Sequence, residues 1–429
     1  MKLSIIGTGY VGLITGVCFA ELGNQVVCID KNPEIISKLN NGVPHFYEPG
    51  LAELLKGNLE NGHFVASSSY EPILDTDITF ICVGTPQSDD GSTNLDQVYL
   101  AAQEIGKILK RKREYHLIVV KSTVPIGTTE EVGKIIEKMG VCREKFGIVM
   151  NPEFLAQGSA IEDFLNGDRI VIGTETEKDA KMLEGLYSKF RTSVVRTDLR
   201  TAEMAKYANN AFLATKISFI NEIANSCSIM GVDATQVADI IGMDKRIGRQ
   251  FLNAGAGWGG SCFGKDLNSL IHQAKKAGVE PKLAQAAVQV NNLQPLQLIA
   301  IAEQHGGDMR GRTVSILGLT FKPNTDDIRD APSIKVIRKL IEKGAKVKAY
   351  DPAGMERAKK VLDEVKYCSS IAEALEQSDV CFILTEWDEI RQIQQKDIDG
   401  MKKKLVIDGR NVLDKKKFRD IEYFGIGRK

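Results

Sequence analysis

The stretch from Lys2 to Asp30 restricts the fold more than any other. An apolar strand, Lys2 to Ile6, runs into Gly7-Thr8-Gly9-Tyr10-Val11-Gly12. Small and apolar residues continue to Leu22, and a second strand, Gln25 to Ile29, ends on Asp30. Each glycine answers a steric need: Gly7 makes the tight turn, Gly9 lets a diphosphate approach the backbone, and Gly12 lets the helix pack closely on the strand. The N–H groups at the helix start then face the phosphates. Asp30 stands where a carboxylate accepts both ribose hydroxyls and repels a 2′-phosphate, which points to NAD rather than NADP; Lys31 directly after it works the other way. A structural glycine turn would not require the strand, the helix and the terminal acid together.

The pattern starts again at Arg312. Thr313 to Leu319 (TVSILGL) mirrors Leu3 to Gly7, Ala345 to Asp351 mirrors Asn24 to Asp30, and Ser378 to Leu384 mirrors Thr76 to Cys82. The chain is therefore predicted to be α/β, with two doubly wound Rossmann-like domains. In the second, Gly318 is followed by Leu-Thr-Phe-Lys-Pro, so the later fingerprint glycines are missing and no second dinucleotide is expected. Lys322, Arg329 and Arg410 instead fall at its strand-end loops, where cations grip a diphosphate; each alone reads equally as an exposed basic side chain.

Three more strand ends belong to the first domain. Ile78 to Val83 ends in Gly84-Thr85-Pro86, Leu117 to Val120 in Lys121-Ser122-Thr123-Val124-Pro125, and Ile148 to Met150 in Asn151-Pro152-Glu153-Phe154-Leu155. Ligands of open parallel sheets sit beyond the carboxyl ends of the strands, so these loops are expected to wall the nicotinamide side. Thr85 and Thr123 serve as well in a turn or a cap, and Glu153 either activates water or is a surface carboxylate.

Leu199 to Met230 contains neither Pro nor Gly, and Gly231 is its natural stop. That is roughly 45 Å of helix, longer than a small domain needs, which suggests a bridge between domains and a face for another subunit. The expected division is 1–198 for the dinucleotide domain, 199–300 for a central helical region and 301–429 for the second Rossmann-like domain. Lys206 and Asn210 are four apart on this helix and share a face. Arg246 and Arg249 follow, with the geometry to hold phosphate bidentately. Next comes GWGGSCFGKD, Gly257 to Asp266, a glycine-built turn that presents Cys262 just ahead of Lys265 and Asp266. A thiolate is a strong nucleophile, although a buried small cysteine in a hairpin would look the same in this window.

Composition excludes other classes. In 429 residues Lys+Arg and Asp+Glu both number 56, which leaves no net field to draw nucleic acid or an anionic membrane. The chain opens directly on a strand and has no apolar run long enough to span a bilayer, so a cytoplasmic location is expected. Eight cysteines (18, 28, 82, 142, 227, 262, 368, 381) lack C-x-x-C spacing, and five histidines (45, 63, 116, 272, 305) are isolated. Reduced core thiols, no metal site and no His-based triad are the expectation.

Oxidising an alcohol needs no nucleophile, whereas hydride removal from an aldehyde requires a tetrahedral adduct first, and a presented thiol supplies one. GTGYVG, VGTP, KSTVP, NPEFL, AKYANNAF, GWGGSCFGKD and FKPNTDDIRDAPS, in that order through nearly the whole chain, resemble the nucleotide-sugar 6-dehydrogenases of the UDP-glucose/GDP-mannose dehydrogenase family. The resemblance implies two NAD-dependent oxidations at C6 of UDP-glucose in a homodimer joined through the long helix. The same chemistry on UDP-N-acetylmannosamine, UDP-N-acetylglucosamine or GDP-mannose is the alternative. A non-catalytic nucleotide-sugar sensor is a third.

By motif, the resemblance makes Cys262 the nucleophile at the C6 aldehyde and Lys206 and Asn210 the holders of the oxyanion. Asp266 joins Lys206 in handling protons, while Thr123 and Glu153 manage the hydrolytic water. It assigns Gly7, Thr8, Gly9, Tyr10, Val11, Gly12, Asp30, Lys31, Thr85, Thr123, Gln157, Lys265 and Arg329 to the cofactor. To the nucleotide sugar it assigns Glu153, Phe154, Leu155, Lys206, Asn210, Phe251, Leu252, Asn253, Gly257, Phe321, Lys322 and Arg410, with Arg246 reaching in from a partner subunit. Two positions depart from the family: Gln157, where many relatives have Glu, and Ile35, where a basic residue often covers the adenosine ribose.

Overall fold

The computed structural model describes residues 1–428, which divide into two compact units: Met1–Asn209 with Asn268–Gly278, and Asn210–Leu267 with the chain from Val279 onward. The first is built on an eight-stranded sheet ordered β3-β2-β1-β4-β5-β6-β7-β8. Its strands are β1 (Lys2–Ile6), β2 (Gln25–Ile29), β3 (Phe64–Ser67), β4 (Ile78–Ile81), β5 (His116–Val120), β6 (Phe146–Met150), β7 (Arg169–Gly173) and β8 (Ser193–Thr197). All neighbours pair in parallel except β6 with β7. The central strands are buried throughout and largely apolar because helices cover both faces. β4 stops at Ile81, short of the expected Val83. Beyond it the Ser122 hydroxyl bonds the carbonyl oxygens of Ile81 and Val83, so the chain turns out of the sheet.

The second unit carries six parallel strands ordered β11-β10-β9-β12-β13-β14. They are β9 (Thr313–Leu317), β10 (Lys346–Tyr350), β11 (Lys366–Tyr367), β12 (Val380–Ile383), β13 (Leu405–Asp408) and β14 (Glu422–Gly425). The order repeats that of the first six strands of the other sheet, as the internal likeness of the sequence requires. Gly7 (φ 90°) and Gly318 (φ 93°) hold the same turn after β1 and β9. A Cβ on Gly7 would stand 2.8 Å from the Cys82 carbonyl oxygen, and one on Gly318 2.5 Å from the Thr385 nitrogen. The Leu199–Met230 helix is continuous, and the boundary between the units falls between its residues 209 and 210.

At the far end of the first sheet His116 is fully buried. Its Nδ1–H donates to Thr76 O (3.1 Å), and its Nε2 lies 2.7 Å from the Thr79 hydroxyl, which is itself 2.6 Å from that of Ser4. Burial, with help from nearby Lys112, pushes the imidazole down to about 3. Unfolded, the ring protonates near 6.5, so as pH falls below that value the unfolded chain takes up a proton that the folded one refuses. Stability present above pH 6.5 is therefore lost between 6.5 and about 3, by roughly 3–5 kcal/mol. Urea midpoints measured across this range should show that slope in the parent and a shallower one in His116→Gln.

Candidate active site

The dinucleotide cradle lies in the first unit. Gly9 precedes the Tyr10–Glu21 helix, whose first turn holds no acidic residue and whose start has no side-chain cap. A Cβ on Gly9 would meet nothing within 4 Å, whereas one on Gly12 would sit 1.9 Å from the Gly7 carbonyl oxygen. The turn is thus open on the side of the helix N–H groups and closed against the sheet, which fits a diphosphate. Asp30 accepts from the Thr8 N–H (2.9 Å) and hydroxyl (2.7 Å) and from the Asn32 N–H (3.0 Å). Half-burial works against its charge, but these bonds outweigh it and hold the carboxyl below the usual range. Its twin Asp351 bonds Leu319 N, Thr320 N and the Trp387 indole, and is fully buried. The second fingerprint has no acid left for a ribose, as its missing glycines suggest.

Tyr10 lends its hydroxyl to Glu48, a residue that motif reasoning passed over. Glu48 also takes the N–H groups of Gly158 and Ala160, both at 2.7 Å, and so ties the cofactor helix to the loop after Glu153. Val11 and Ile35 pack on the core, and the Ile35 position is spent on that packing. Lys31 is exposed, Thr85 is buried, and Thr123 is half-buried at the end of β5.

Glu153 and Lys206 form a buried ion pair (3.1 Å), and Glu153 also accepts from the Leu155 N–H (2.6 Å). Burial alone would raise the carboxyl. Lys206, that N–H and Lys121 overcome it and hold Glu153 below the usual range. The expected water-activating carboxylate is therefore a stabilised anion, better suited to orienting Lys206 than to taking a proton at neutral pH. Phe154 supports the pair, with the Arg169 guanidinium 3.9 Å and the Lys206 ammonium 5.4 Å from its ring centre.

The second unit holds the thiol. Cys262 is exposed and stands just before the Phe263–Lys276 helix, with the Ser261 hydroxyl 3.7 Å from its sulfur. The glycines ahead of it are compulsory. A Cβ on Gly257 (φ 106°) would lie 2.6 Å from Asn291 Oδ1, on Gly259 2.5 Å from the Asp330 carbonyl oxygen, and on Gly260 (φ 85°) 2.9 Å from the Phe321 ring. Gly260 N–H donates to the Arg329 carbonyl (2.9 Å). The Arg329 guanidinium clasps Asp327, which chiefly accounts for its strengthened charge, with a smaller share from Cys262. Asp266 is buried and accepts from Asn210 Nδ2 (2.7 Å) and Lys265 Nζ (2.5 Å).

The remaining expected residues differ in their surroundings. Arg410 donates to the carbonyls of Leu384, Gly257 and Phe321, so half or more of its guanidinium is spent fastening the cysteine turn to neighbouring loops. Arg246 is largely exposed and folded onto Asp244. Phe251 has φ 63°, a conformation that costs a side-chain-bearing residue energy; Leu252 is buried and Asn253 accepts from Arg249. Lys322 lies with its ammonium 5.7 Å from the Phe321 ring centre. Gln157 is half-buried.

Comparison with known proteins accounts for the chain end to end. Three models of the UDP-glucose/GDP-mannose dehydrogenase family match it: the NAD binding domain at residues 1–191, the central domain at 200–293 and the UDP binding domain at 315–415. It is 45% identical over 432 residues to the UDP-glucose 6-dehydrogenase TuaD of Bacillus subtilis, covering 100% of this chain and 93% of that protein. It is 43% identical to the UDP-glucose 6-dehydrogenase AglM of Haloferax volcanii, with 98% and 99% covered. Among solved structures, a UDP-glucose dehydrogenase from Pyrobaculum islandicum superposes with a TM-score of 0.94 at 42% identity, covering 100% and 98%. A UDP-D-ManNAc dehydrogenase from Pyrococcus horikoshii gives 0.89 at 28%, covering 100% and 99%.

Proposed function

The chain belongs to the UDP-glucose/GDP-mannose dehydrogenase family, and from that premise we propose that it oxidises UDP-glucose to UDP-glucuronate in two NAD-dependent steps through Cys262. One sugar, one water and two NAD+ give one uronate, two NADH and three protons. The observation that carries the reading is the exposed thiol in a glycine-rich turn at a helix start, a feature that the aldehyde-level oxidation uses and the alcohol oxidation does not require.

NAD, when bound, accepts the hydride of each round. Gly7 to Gly12 and Asp30 would hold it, with Lys31, Thr85, Thr123, Gln157, Lys265 and Arg329 around the rest. The Cys262 sulfur attacks C6 of the aldehyde, forming a C–S bond, and the carbonyl oxygen becomes an oxyanion held by Lys206 and Asn210. Loss of the second hydride leaves a thioester. Water, positioned by Thr123 and Glu153, adds to it; the C–S bond breaks and the thiol is restored, with Asp266 and Lys206 handling the protons. The loops bearing Phe251 to Gly257, Phe321, Lys322 and Arg410, with Phe154 and Leu155, would take the nucleotide sugar.

A panel of UDP-glucose, UDP-N-acetylmannosamine, UDP-N-acetylglucosamine and GDP-mannose, followed by NADH absorbance, tests the substrate. Two NADH per UDP-glucose and little from the others is expected; preference for another sugar overturns that assignment.

We further propose a homodimer through the long helix. Phe212, Phe219 and Met230 are exposed and, at seven and eleven residues' spacing, share one of its faces. Arg246 is then available to reach a partner's sugar site. Light scattering should report a dimer that Phe219→Asp weakens. The catalytic division into 1–198, 199–300 and 301–429 follows the same reading. Among the described residues the eight thiols form no disulfide, which fits a reducing cytoplasm, and no helix is long and apolar enough to cross a membrane.

A further inference from the structure

We infer that Lys121 is a positioning residue for this reaction: a buried ammonium that, through Asn151 and through Glu153, holds the Glu153–Lys206 pair in its working arrangement. The inference rests on the function proposed above, but its geometry lies wholly within the first unit. Lys121 directly follows β5 and is buried, and its Nζ donates to Asn151 Oδ1 (3.1 Å), its one hydrogen-bond acceptor among the described residues. Asn151 directly follows the neighbouring β6 strand and opens the loop that carries Glu153. The Tyr187 hydroxyl holds the same Oδ1 at 2.6 Å, while Asn151 Nδ2 donates to the Val171 carbonyl (2.8 Å) on β7. Lys121 thus anchors the root of the Glu153 loop across three strands.

The second contribution is charge. A buried carboxylate must be compensated, and if Lys206 alone did so its charge would be committed to Glu153. With Lys206 paired to Glu153 and the Lys121 charge also acting on that carboxylate, one cation is left in excess for an oxyanion that develops beside Lys206. Lys121, Lys206, Glu153 and the Cys82 thiol act on one another there, joined by Tyr10, which faces Glu153, and by Tyr187, which faces Cys82 and bonds Asn151; the Phe164 ring centre is 5.9 Å from the Lys121 ammonium. Burial pushes Lys121 down to about 8, against the pull of Cys82 and Glu153 and assisted by Lys206. The excess cation is therefore present below about pH 8 and disappears above it.

The test compares full-length Lys121→Met and Lys121→Arg with the parent across pH. Lys121→Met is expected to lose roughly 10–100-fold in kcat, with KM for the nucleotide sugar within about two-fold, and to lose the alkaline limb near pH 8. Lys121→Arg should restore most of the rate and move that limb upward, which a packing role would not do. Equal losses in both variants, or an unchanged rate and profile in Lys121→Met, overturn the inference.

A second readout needs no turnover. With 13Cε-lysine, the resonance missing from Lys121→Arg should titrate near pH 8 in the parent and lower in Glu153→Gln. A signal that titrates above 10, or that ignores Glu153, sinks the inference. A parent that makes NADH from no sugar defeats the functional reading, and the titration still decides the role of Lys121.

Discussion

Cys262→Ser should lower the steady-state rate by on the order of 10³-fold or more while leaving the first hydride transfer in place. A serine hydroxyl is a far weaker nucleophile than a thiolate at neutral pH. The turn itself should persist. Its shape comes from Gly257, Gly259 and Gly260 against Asn291, Asp330 and Phe321, and serine is close to cysteine in volume. Rapid mixing of the variant with UDP-glucose and NAD should thus give about one NADH per site and then stall, with an aldehyde-level sugar retained. Quenched parent enzyme should instead carry the sugar as a mass increment on the Cys262 peptide. Parent-like turnover by the serine variant would remove the thiol from the mechanism.

Lys206→Met is expected to be nearly as severe, and to act on stability as well as on rate. The ammonium sits 3.1 Å from Glu153 with both groups buried, so removing it strands a carboxylate away from water. Breaking such a pair costs about 3–5 kcal/mol. Burial, the largest influence on Glu153, is then opposed only by the Leu155 N–H and Lys121, and its pKa should rise. The sign follows: in the parent, a carboxyl held below its unfolded value adds stability above about pH 4.5, which is lost as pH falls. The variant should reverse that contribution and become steadily less stable as pH rises through the elevated value. Unfolding midpoints between pH 4 and 9 would show the reversal, and kcat should fall by about 10²–10³-fold with the oxyanion donor gone. A variant as stable and active as the parent at pH 8 would mean that the pair is only a packing feature.

Much of the architecture was legible because steric rules are local. Gly7, Gly12 and Gly318 each stand where a Cβ would collide with backbone or a neighbouring side chain, and that demand is written in the residues themselves. The repeat of strand order in the two sheets was readable from the mirrored segments, and the 199–230 helix from its lack of breakers. The strand ends were less legible: β4 stops early because Ser122, forty-one positions after Ile81, takes the carbonyls that would have continued it.

The site residues divide in the same way. Cys262 announced itself through its glycines, but Glu48 and Lys121 carry no motif of their own, and only the helix and loop packed against each reveal a task. Arg410 read as a cation for a diphosphate, and much of it turns out to hold carbonyls. Asp351 copies Asp30 by position, yet it is sealed beneath Trp387.

The sequence by itself determined the two sheets, the glycine turns and the reactive atoms at their ends, since backbone sterics and hydrophobic period act between near neighbours. Only the tertiary structure decided which of the charged groups are spent and which are poised. A group's charge depends on its burial and on partners such as Glu153, Lys206 and Lys121, which folding alone brings together from distant strands and helices.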